Sequence, residues 1–315
     1  MPALQLRTVT RTQGNNAALK DGTVAPRGLV FDFEEVPVLV SAFRRMVRAL
    51  EFDVSEMAFT TYLVAKAHGV RFTALPVFLV RAFHHGAIRF NTAVGIRTPT
   101  DLEGRQVGVN RGYTVTTGVW ARGVLADEHG VDLDRVTWVL SGDEHVAEYR
   151  PPANVVPMPA GGDLAAMLGA GEIAAAIGVD GDLADVAPLI PDARQAGLAA
   201  LRRNGYYPIN HLVVVKDELL EQHPHLAQDV FTAFAESKNL YVDRLRAGTI
   251  TDPSPVDRLH EQVMEVTGAD PLPYGIAPNR SNIEKLLDLA VAQKILDRRP
   301  AVESLFAAGT HDLTA

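Results

Sequence analysis

A strand that passes directly into a helix, within residues 101–130, is the sequence feature that most constrains the fold. An apolar strand is expected over residues 106–110, and a helix opens shortly after it, among Thr114, Thr116 and Thr117. Gly130 predicts where that helix ends, because glycine adopts the left-handed conformation that closes many helices. A strand followed by a helix of this length is typical of α/β proteins with parallel strands.

The start of this helix has two interpretations. The first N–H groups of a helix have no partner within it, and the helix dipole adds positive potential at the same place. Together with the threonine hydroxyls, these donors favour a bound anion. Threonines also cap ordinary helices, so the sequence leaves open both an anion site and a purely structural cap.

Length and charge limit the class of protein. A chain of 315 residues exceeds what one hydrophobic core usually holds, which predicts two domains. The net charge of −8 argues against nucleic acid or an anionic membrane as the main partner. Cysteine is absent, which excludes disulfides and thiolate catalysis. With neither a secretory signal nor an apolar run long enough to span a bilayer, we expect a cytoplasmic protein.

Alternating strands and helices predict two α/β lobes, each a mixed and mostly parallel sheet flanked by helices. We expect the chain to cross between the lobes near residues 90 and 205. The first lobe is then discontinuous, formed by residues 1–91 and 207–315, and residues 92–206 form the second. Ligands of open α/β sheets bind beyond the carboxyl ends of the strands, here expected in the cleft between the lobes.

Three local signals predict further structure. Four prolines between residues 143 and 160 predict a loop. Asp163 is expected to cap a helix that runs through Leu168. The sequence Ser281-Asn282-Ile283-Glu284 has the spacing of a capping box and predicts that the last helix starts there.

Polar side chains follow four expected strands, where they would face a ligand. Arginine binds carboxylates through two parallel hydrogen bonds, and histidine exchanges protons near neutral pH. Such a set could orient a small carboxylic acid and protonate it, although each histidine taken alone also suits a structural role. The residues are Ser55 and Glu56; Arg81, His84 and His85; Tyr113, Thr114, Thr116 and Thr117; and Asn210 and His211.

The sequence does not predict a metal site. His84, His85, His211 and Glu56 could in principle supply two histidines and a carboxylate. Adjacent histidines on an extended segment point to opposite faces, however, so the pair cannot share one ion. Nucleotide-binding glycine motifs and the hydrolase elbow are absent from the sequence. The other histidines fall in expected loops or helix ends and receive no role: His68, His129, His145, His223, His225, His260 and His311.

Five segments together resemble the 4,5-dihydroxyphthalate decarboxylase family, over residues 17–309. The resemblance implies the type II periplasmic-binding-protein fold and a decarboxylation that needs no organic cofactor; no metal ligands are assigned. The segments are Glu51-Phe52-Asp53-Val54-Ser55-Glu56-Met57; Pro76-Val77-Phe78 with Arg81, Phe83 and His85; Val119-Trp120-Ala121-Arg122-Gly123; Pro208-Ile209-Asn210-His211; and Pro273-Tyr274-Gly275 with Asn279-Arg280.

The resemblance also implies roles for the polar residues. A hydroxylated aromatic acid would be protonated at the ring carbon and would then lose CO2. His85 or His211 would donate the proton, Arg81 would bind the carboxylate, and Glu56 would orient a histidine or accept from the substrate hydroxyl. The remaining residues at the strand ends would bind substrate: Ser55, His84, Tyr113, Thr114, Thr116, Thr117 and Asn210.

Departures from the family pattern leave the substrate open. His84 stands where the family has arginine, Gly86 where it has serine, and Asn210 where it has an apolar residue. The polar first loop, residues 11–16, also differs. Two alternatives therefore remain: a solute-binding protein for a small carboxylate or aromatic ligand, and another biosynthetic enzyme of this fold, similar to menaquinone-pathway or thiamin-pyrimidine enzymes. A homo-oligomer is compatible with the sequence, which does not give the oligomeric state.

Overall fold

The computed structural model describes residues 3–315. Within this range the strands are β1 (Leu4–Val9), β2 (Leu29–Phe33), β3 (Val54–Ala58), β4 (Phe72–Arg81), β5 (Ile88–Asn91), β6 (Gln106–Val109), β7 (Thr137–Leu140), β8 (Val155–Pro157), β9 (Ala175–Ile177), β10 (Val186–Pro188) and β11 (Ile209–Lys216). The α-helices of the same range are α1 (Ala17–Lys20), α2 (Leu39–Ala49), α3 (Phe59–Ala67), α4 (Thr116–His129), α5 (Leu164–Gly169), α6 (Ala193–Asn204), α7 (Asp217–Gln222), α8 (Leu226–Arg246), α9 (Pro255–Thr267) and α10 (Arg280–Ala292). In this described part of the chain, no helix is both long and apolar enough to cross a bilayer.

The chain divides into two compact units. The first contains the residues up to Arg81, Ile209–Glu284 and Pro300–Ala315, and the second contains Ala82–Pro208 and Lys285–Arg299. We expected β5 to lead out of the first lobe, whereas it pairs with β9 and β10 in the sheet of the second unit. The first crossing of the chain accordingly follows Arg81 directly.

The sheet of the first unit has the order β2-β1-β3-β11-β4. β1 runs parallel to β2 and β3, and β11 runs antiparallel to β3 and β4. Every residue of β3 is buried, as expected for an inner strand covered on both faces. Polar side chains on β3 therefore lie inside the unit and need partners there.

The sheet of the second unit has the order β10-β5-β9-β6-β7-β8. The four strands from β9 to β8 are parallel, and β5 joins them and β10 in antiparallel pairs. Both sheets are thus mixed, mostly parallel and flanked by helices. The predicted α/β fold class is confirmed.

Several local predictions are confirmed. Gly130 ends α4 in the left-handed conformation, with φ of 69°. The side chain of Asp163 caps α5 by accepting a 2.8 Å hydrogen bond from the N–H of Ala166. In these cases a short run of sequence decides the backbone conformation by itself.

Three local predictions are wrong in part. α4 starts at Thr116, within the predicted stretch, but Val115, whose side chain cannot accept a hydrogen bond, takes the cap position, so the alternative of a threonine cap is wrong. The expected loop over residues 143–160 includes β8, an edge strand that tolerates proline because one of its sides is unpaired. α10 starts at Arg280 after a short 3-10 turn, so Ser281 lies inside the helix and caps nothing.

His260 is also corrected, because it lies in the middle of α9 and is buried rather than at a helix end. Its Nδ1 atom lies 3.0 Å from the hydroxyl of Tyr241 on α8, and that hydroxyl donates to the carboxylate of Asp257. Burial lowers the pKa of His260 to about 4, which outweighs the opposing attraction of Asp257. The folded protein therefore favours the neutral imidazole.

This pKa predicts a loss of stability in mild acid. Below about pH 6.5 the unfolded chain binds a proton at His260, whereas the folded protein does not bind it until about pH 4. The free energy of unfolding should fall by about 2 kcal/mol between pH 7 and pH 5 from this group alone. Urea unfolding at both pH values measures the change.

His260→Gln should remove that contribution, and His225→Gln, at an exposed histidine, is the matched control. We expect the control to lose as much stability on acidification as the wild type. If His260→Gln lost as much stability on acidification as the wild type, the low pKa assigned to His260 would be wrong.

Candidate active site

Glu56 and His211 form a hydrogen-bonded pair inside the first unit. Nδ1 of His211 lies 2.6 Å from Oε1 of Glu56. In the antiparallel pair of β3 and β11, Glu56 faces Val213 and His211 faces Ala58. The two side chains are therefore diagonal neighbours on one face of the sheet, a relation that long side chains can bridge.

The Glu56 carboxylate is fully buried, and both of its oxygens have partners. Oε2 accepts a 2.9 Å hydrogen bond from the backbone N–H of Arg11, while Oε1 faces His211. The side chain of Glu56 has no exposed surface, and that of His211 keeps 17%. Because a carboxylate only accepts, Nδ1 carries a proton, and Nε2 is the nitrogen that can gain or release one.

The loop that carries the Arg11 N–H is fixed by side chains. Asn16, which is fully buried, accepts from the N–H of Gln13 at 2.8 Å and donates to the carbonyl of Arg11 at 2.8 Å. A Cβ atom on Gly14 would lie 2.2 Å from the ring of Tyr241, so the loop closes on α8 only with glycine at this position. The loop is thus held in the shape that directs its N–H at Glu56.

Irregular strand pairing surrounds His211. The register between β11 and β4 shifts at each step from Ile209 to Val213. Such irregularities are common beside active sites, where they redirect a side chain. The ring of Phe43 on α2 meets the imidazole of His211 edge-on, with centroids 5.2 Å apart. These contacts fix the plane of the imidazole.

The other predicted site residues of the first unit, Ser55, Arg81 and Asn210, are also buried. The guanidinium of Arg81, at the end of β4, donates to the side-chain oxygen of Asn279 and to the carbonyl of Pro273 at 3.3 Å. The hydroxyl of Ser55 donates to the carbonyl of Glu56 at 2.7 Å. Asn210 is buried next to His211 on β11. Arg81 is therefore held in a fixed position by two carbonyl oxygens.

In the second unit, the predicted anion donors hold a carboxylate of the chain itself. The backbone N–H groups of Tyr113 and Thr114 lie 2.5 and 3.2 Å from the carboxylate of Glu144, and the Thr114 hydroxyl donates to it at 2.6 Å. Glycine at position 112 leaves space for this carboxylate, because a Cβ atom there would lie 2.5 Å from a Glu144 oxygen. The segment before α4 thus has the donor arrangement of an anion site. Sequence reasoning did not find Glu144, which lies in the proline-rich segment expected to be a loop.

Arg122, on α4, supports this segment from within. Its guanidinium is fully buried, donates to the carbonyl of Tyr113 at 2.7 Å and to Gln293 at 2.8 Å, and lies 3.9 Å from the centre of the Tyr113 ring. Burial lowers the pKa of Arg122. Arg122 belongs to a segment that carries the family resemblance, and that was its only signal in the sequence.

The remaining threonines differ in their surroundings. Thr116 is buried, whereas Thr117 lines a cavity of about 360 Å³ in the second unit. The same cavity is lined by Arg89, Asn110 and Arg111. It follows the carboxyl end of β6, where ligands of α/β sheets are expected.

The two adjacent histidines lie in the second unit and are both buried. Nε2 of His85 lies 2.9 Å from Oε1 of Glu128, whose other oxygen accepts a 2.9 Å bond from Arg203. His211 and Glu56 belong to the first unit. Among residues 3–315, no three histidine or acidic side chains lie together in a way that could hold a metal ion.

Comparison with known proteins identifies relatives, although no family model matches. The chain is 30% identical, over an alignment of 325 positions, to a 4,5-dihydroxyphthalate decarboxylase of Comamonas testosteroni, with 97% of each chain covered. It is 34% identical over 163 positions to a 4,5-dihydroxyphthalate decarboxylase of Pseudomonas putida, covering 49% of this chain and 60% of that protein. The periplasmic aliphatic sulphonate binding protein SsuA from Escherichia coli has a similar structure, with a TM-score of 0.55, 12% identity and coverage of 96% and 92%. This last likeness confirms the expected periplasmic-binding-protein-like fold.

The Glu144 contact predicts a measurable stabilisation. Glu144→Gln replaces charge-assisted hydrogen bonds by weaker ones, so the free energy of unfolding should fall by about 1–3 kcal/mol. Urea unfolding measures it. Glu148→Gln, at an exposed position of the same segment, is the control and should stay within about 0.5 kcal/mol of the wild type. If the two substitutions lowered the free energy of unfolding equally, the hydrogen bonds to the Glu144 carboxylate would not form in solution.

Proposed function

The chain belongs to the 4,5-dihydroxyphthalate decarboxylase family and is a carboxy-lyase, and from this premise we propose that it decarboxylates a hydroxylated aromatic acid of the 4,5-dihydroxyphthalate type without an organic cofactor. The observation that carries the proposal is the pair of Glu56 and His211. It supplies an oriented histidine whose Nε2 can deliver a proton. The reaction class needs one such proton and no oxidant or reductant.

The proposed reaction is a proton-for-CO2 exchange at one ring carbon. The imidazolium of His211 transfers its Nε2 proton to the carbon that bears the carboxylate, and a hydroxyl para to that carbon supplies electron density to the ring. The bond between the ring carbon and the carboxylate then breaks. Its electron pair restores the aromatic ring, and CO2 leaves. The imidazole regains a proton from water, so each turnover consumes one proton and releases one CO2.

Glu56 positions the donor in this scheme. By accepting from Nδ1 it keeps that nitrogen protonated in both states of the ring, so proton exchange is confined to Nε2. The backbone N–H of Arg11 donates a hydrogen bond to the other oxygen of Glu56 and keeps the carboxylate from moving. Glu56 acts through His211 and is therefore a positioning residue.

The surroundings of the two candidate histidines favour His211 over His85. The side chain of His85 is only 4% exposed, and its Nε2 faces Glu128. The side chain of His211 keeps 17% exposure while its Nδ1 is bonded, which gives Nε2 a route to a substrate. We therefore assign the proton donor to His211.

Substrate binding is proposed for residues whose geometry suits carboxylates. In the first unit, Arg81 is the proposed carboxylate clamp, because Asn279 and Pro273 hold its guanidinium in place before substrate arrives. Ser55 and Asn210 are also proposed to bind the substrate. In the second unit, the contact of Glu144 with Tyr113 and Thr114 supports the proposal that this segment, with Thr116 and Thr117, binds a substrate carboxylate in place of Glu144.

The test is CO2 release from 4,5-dihydroxyphthalate by chelator-treated protein, with the aromatic product identified by chromatography. We expect release that survives chelation and yields one dihydroxybenzoate per CO2. His211→Asn should lower kcat about 10²–10⁴-fold, the usual contribution of a general acid. His225→Asn, at an exposed histidine, is the matched control and should keep the wild-type rate.

Three outcomes would contradict the proposal. Full activity in His211→Asn would remove the assigned proton donor, and activity lost on chelation and restored by a metal ion would contradict the expectation that CO2 release needs no metal. A substrate-induced rise in Tm without any CO2 would indicate a protein that binds the acid and does not transform it.

A further inference from the structure

A second cavity of the second unit lies against the helical face of α4 that carries Trp120 and Val124. We call it the α4 pocket; its volume is about 300 Å³. Its walls are mostly apolar and aromatic, formed by Phe83, Trp120, Val124, Ala200 and Leu289, with His85 among them. It shares no lining residue with the cavity beside Thr117. Pockets of this size and lining are typical of sites for small organic ligands.

His85, which lines the α4 pocket, has one ring nitrogen without a partner in the described part of the chain. Nδ1 of His85 is buried and makes no hydrogen bond within the described range of residues 3–315. Nε2 of the same ring must donate to Glu128, because a carboxylate only accepts. In the neutral imidazole, Nδ1 is therefore a buried acceptor that lacks a donor, and buried polar atoms of this kind call for an explanation.

The charges at the rim of the α4 pocket are already compensated. Nζ of Lys285 lies 2.7 Å from the carboxylate of Asp127, and Arg203 pairs with Glu128 at 2.9 Å. A carboxylate ligand would meet two acidic side chains whose cations are engaged. An uncharged ligand avoids that repulsion and loses less hydration on entering an apolar cavity.

From these three observations we propose that the α4 pocket binds a small uncharged phenol, whose ring packs against Trp120 and whose hydroxyl donates to Nδ1 of His85 once a small turn of the imidazole exposes that atom to the cavity. The aromatic ring fits the apolar walls, and the hydroxyl supplies the missing donor. This ligand differs in charge from the carboxylic acid proposed for the Glu56–His211 pair. The site is therefore a second one, with its own ligand class.

The experiment is a ¹⁹F NMR titration of the full-length wild-type protein with 4-fluorophenol, compared with 4-fluoroanisole and 4-fluorobenzoate. We expect saturable binding of the phenol. The anisole has the same ring but no hydroxyl proton, so it should bind about tenfold more weakly, the usual effect of one lost hydrogen bond. The benzoate should bind more weakly than the phenol because of its charge.

Three variants locate the binding. Ala200→Leu should fill the pocket and abolish saturable phenol binding, whereas Ala199→Leu, at the neighbouring position of α6 outside the pocket lining, should bind as the wild type does. His85→Phe keeps a ring but removes the acceptor, so it should bind phenol and anisole equally. Thermal unfolding verifies that each variant is folded.

Several results would overturn the proposal: no saturable binding to the wild type, equal binding of phenol and anisole, tighter binding of benzoate, or unchanged phenol binding in Ala200→Leu. The titration requires no turnover. Its outcome is therefore independent of whether the decarboxylase proposal holds.

Discussion

The 2.6 Å contact between Glu56 and His211 is the interaction on which the proposed chemistry depends. A carboxylate without exposed surface is stable inside a sheet only when its oxygens are hydrogen-bonded. The chain meets that need with an imidazole on a neighbouring strand and with a backbone N–H from the loop of residues 11–16. The glycine at position 14 and the irregular pairing of β11 make this arrangement possible. The loop and both strands are thus linked to one buried charge.

In the second unit, glutamate carboxylates are also held by hydrogen bonds, but their partners differ. There the carboxylate of Glu144 takes the donors of Tyr113 and Thr114, and the buried Arg122 stabilises the segment from beneath. His85, which lines the α4 pocket, also has a glutamate partner, yet its second nitrogen is buried and has no hydrogen bond among the described residues. Two histidines with similar partners therefore suit different tasks. The more exposed His211 is the residue proposed to donate a proton, and the buried second nitrogen of His85 is the atom proposed to accept from a neutral ligand.

Features set by neighbours in sequence could be predicted, and features set by distant contacts could not. The helix end at Gly130 and the cap at Asp163 depend on a few adjacent residues, and both were predicted correctly. Glu56 and His211 were both chosen as candidates, but their direct bond joins positions 155 residues apart and depends on the antiparallel register of β3 and β11. Glu144 gave no local signal at all. The Thr114 hydroxyl, for which the sequence left open a helix cap or an anion contact, bonds to that distant carboxylate.

The most direct test of the account is the protonation of the two nitrogens of His211, followed by ¹⁵N NMR of histidine-labelled protein through a pH titration, with His211→Asn used to assign its signals. We predict that Nδ1 stays protonated throughout and that Nε2 alone gains and loses a proton, because Glu56 accepts from Nδ1 in both states. In Glu56→Gln the preference for the Nδ1–H form should weaken. A wild-type spectrum in which Nδ1 titrates while Nε2 stays protonated would contradict the proposed proton delivery.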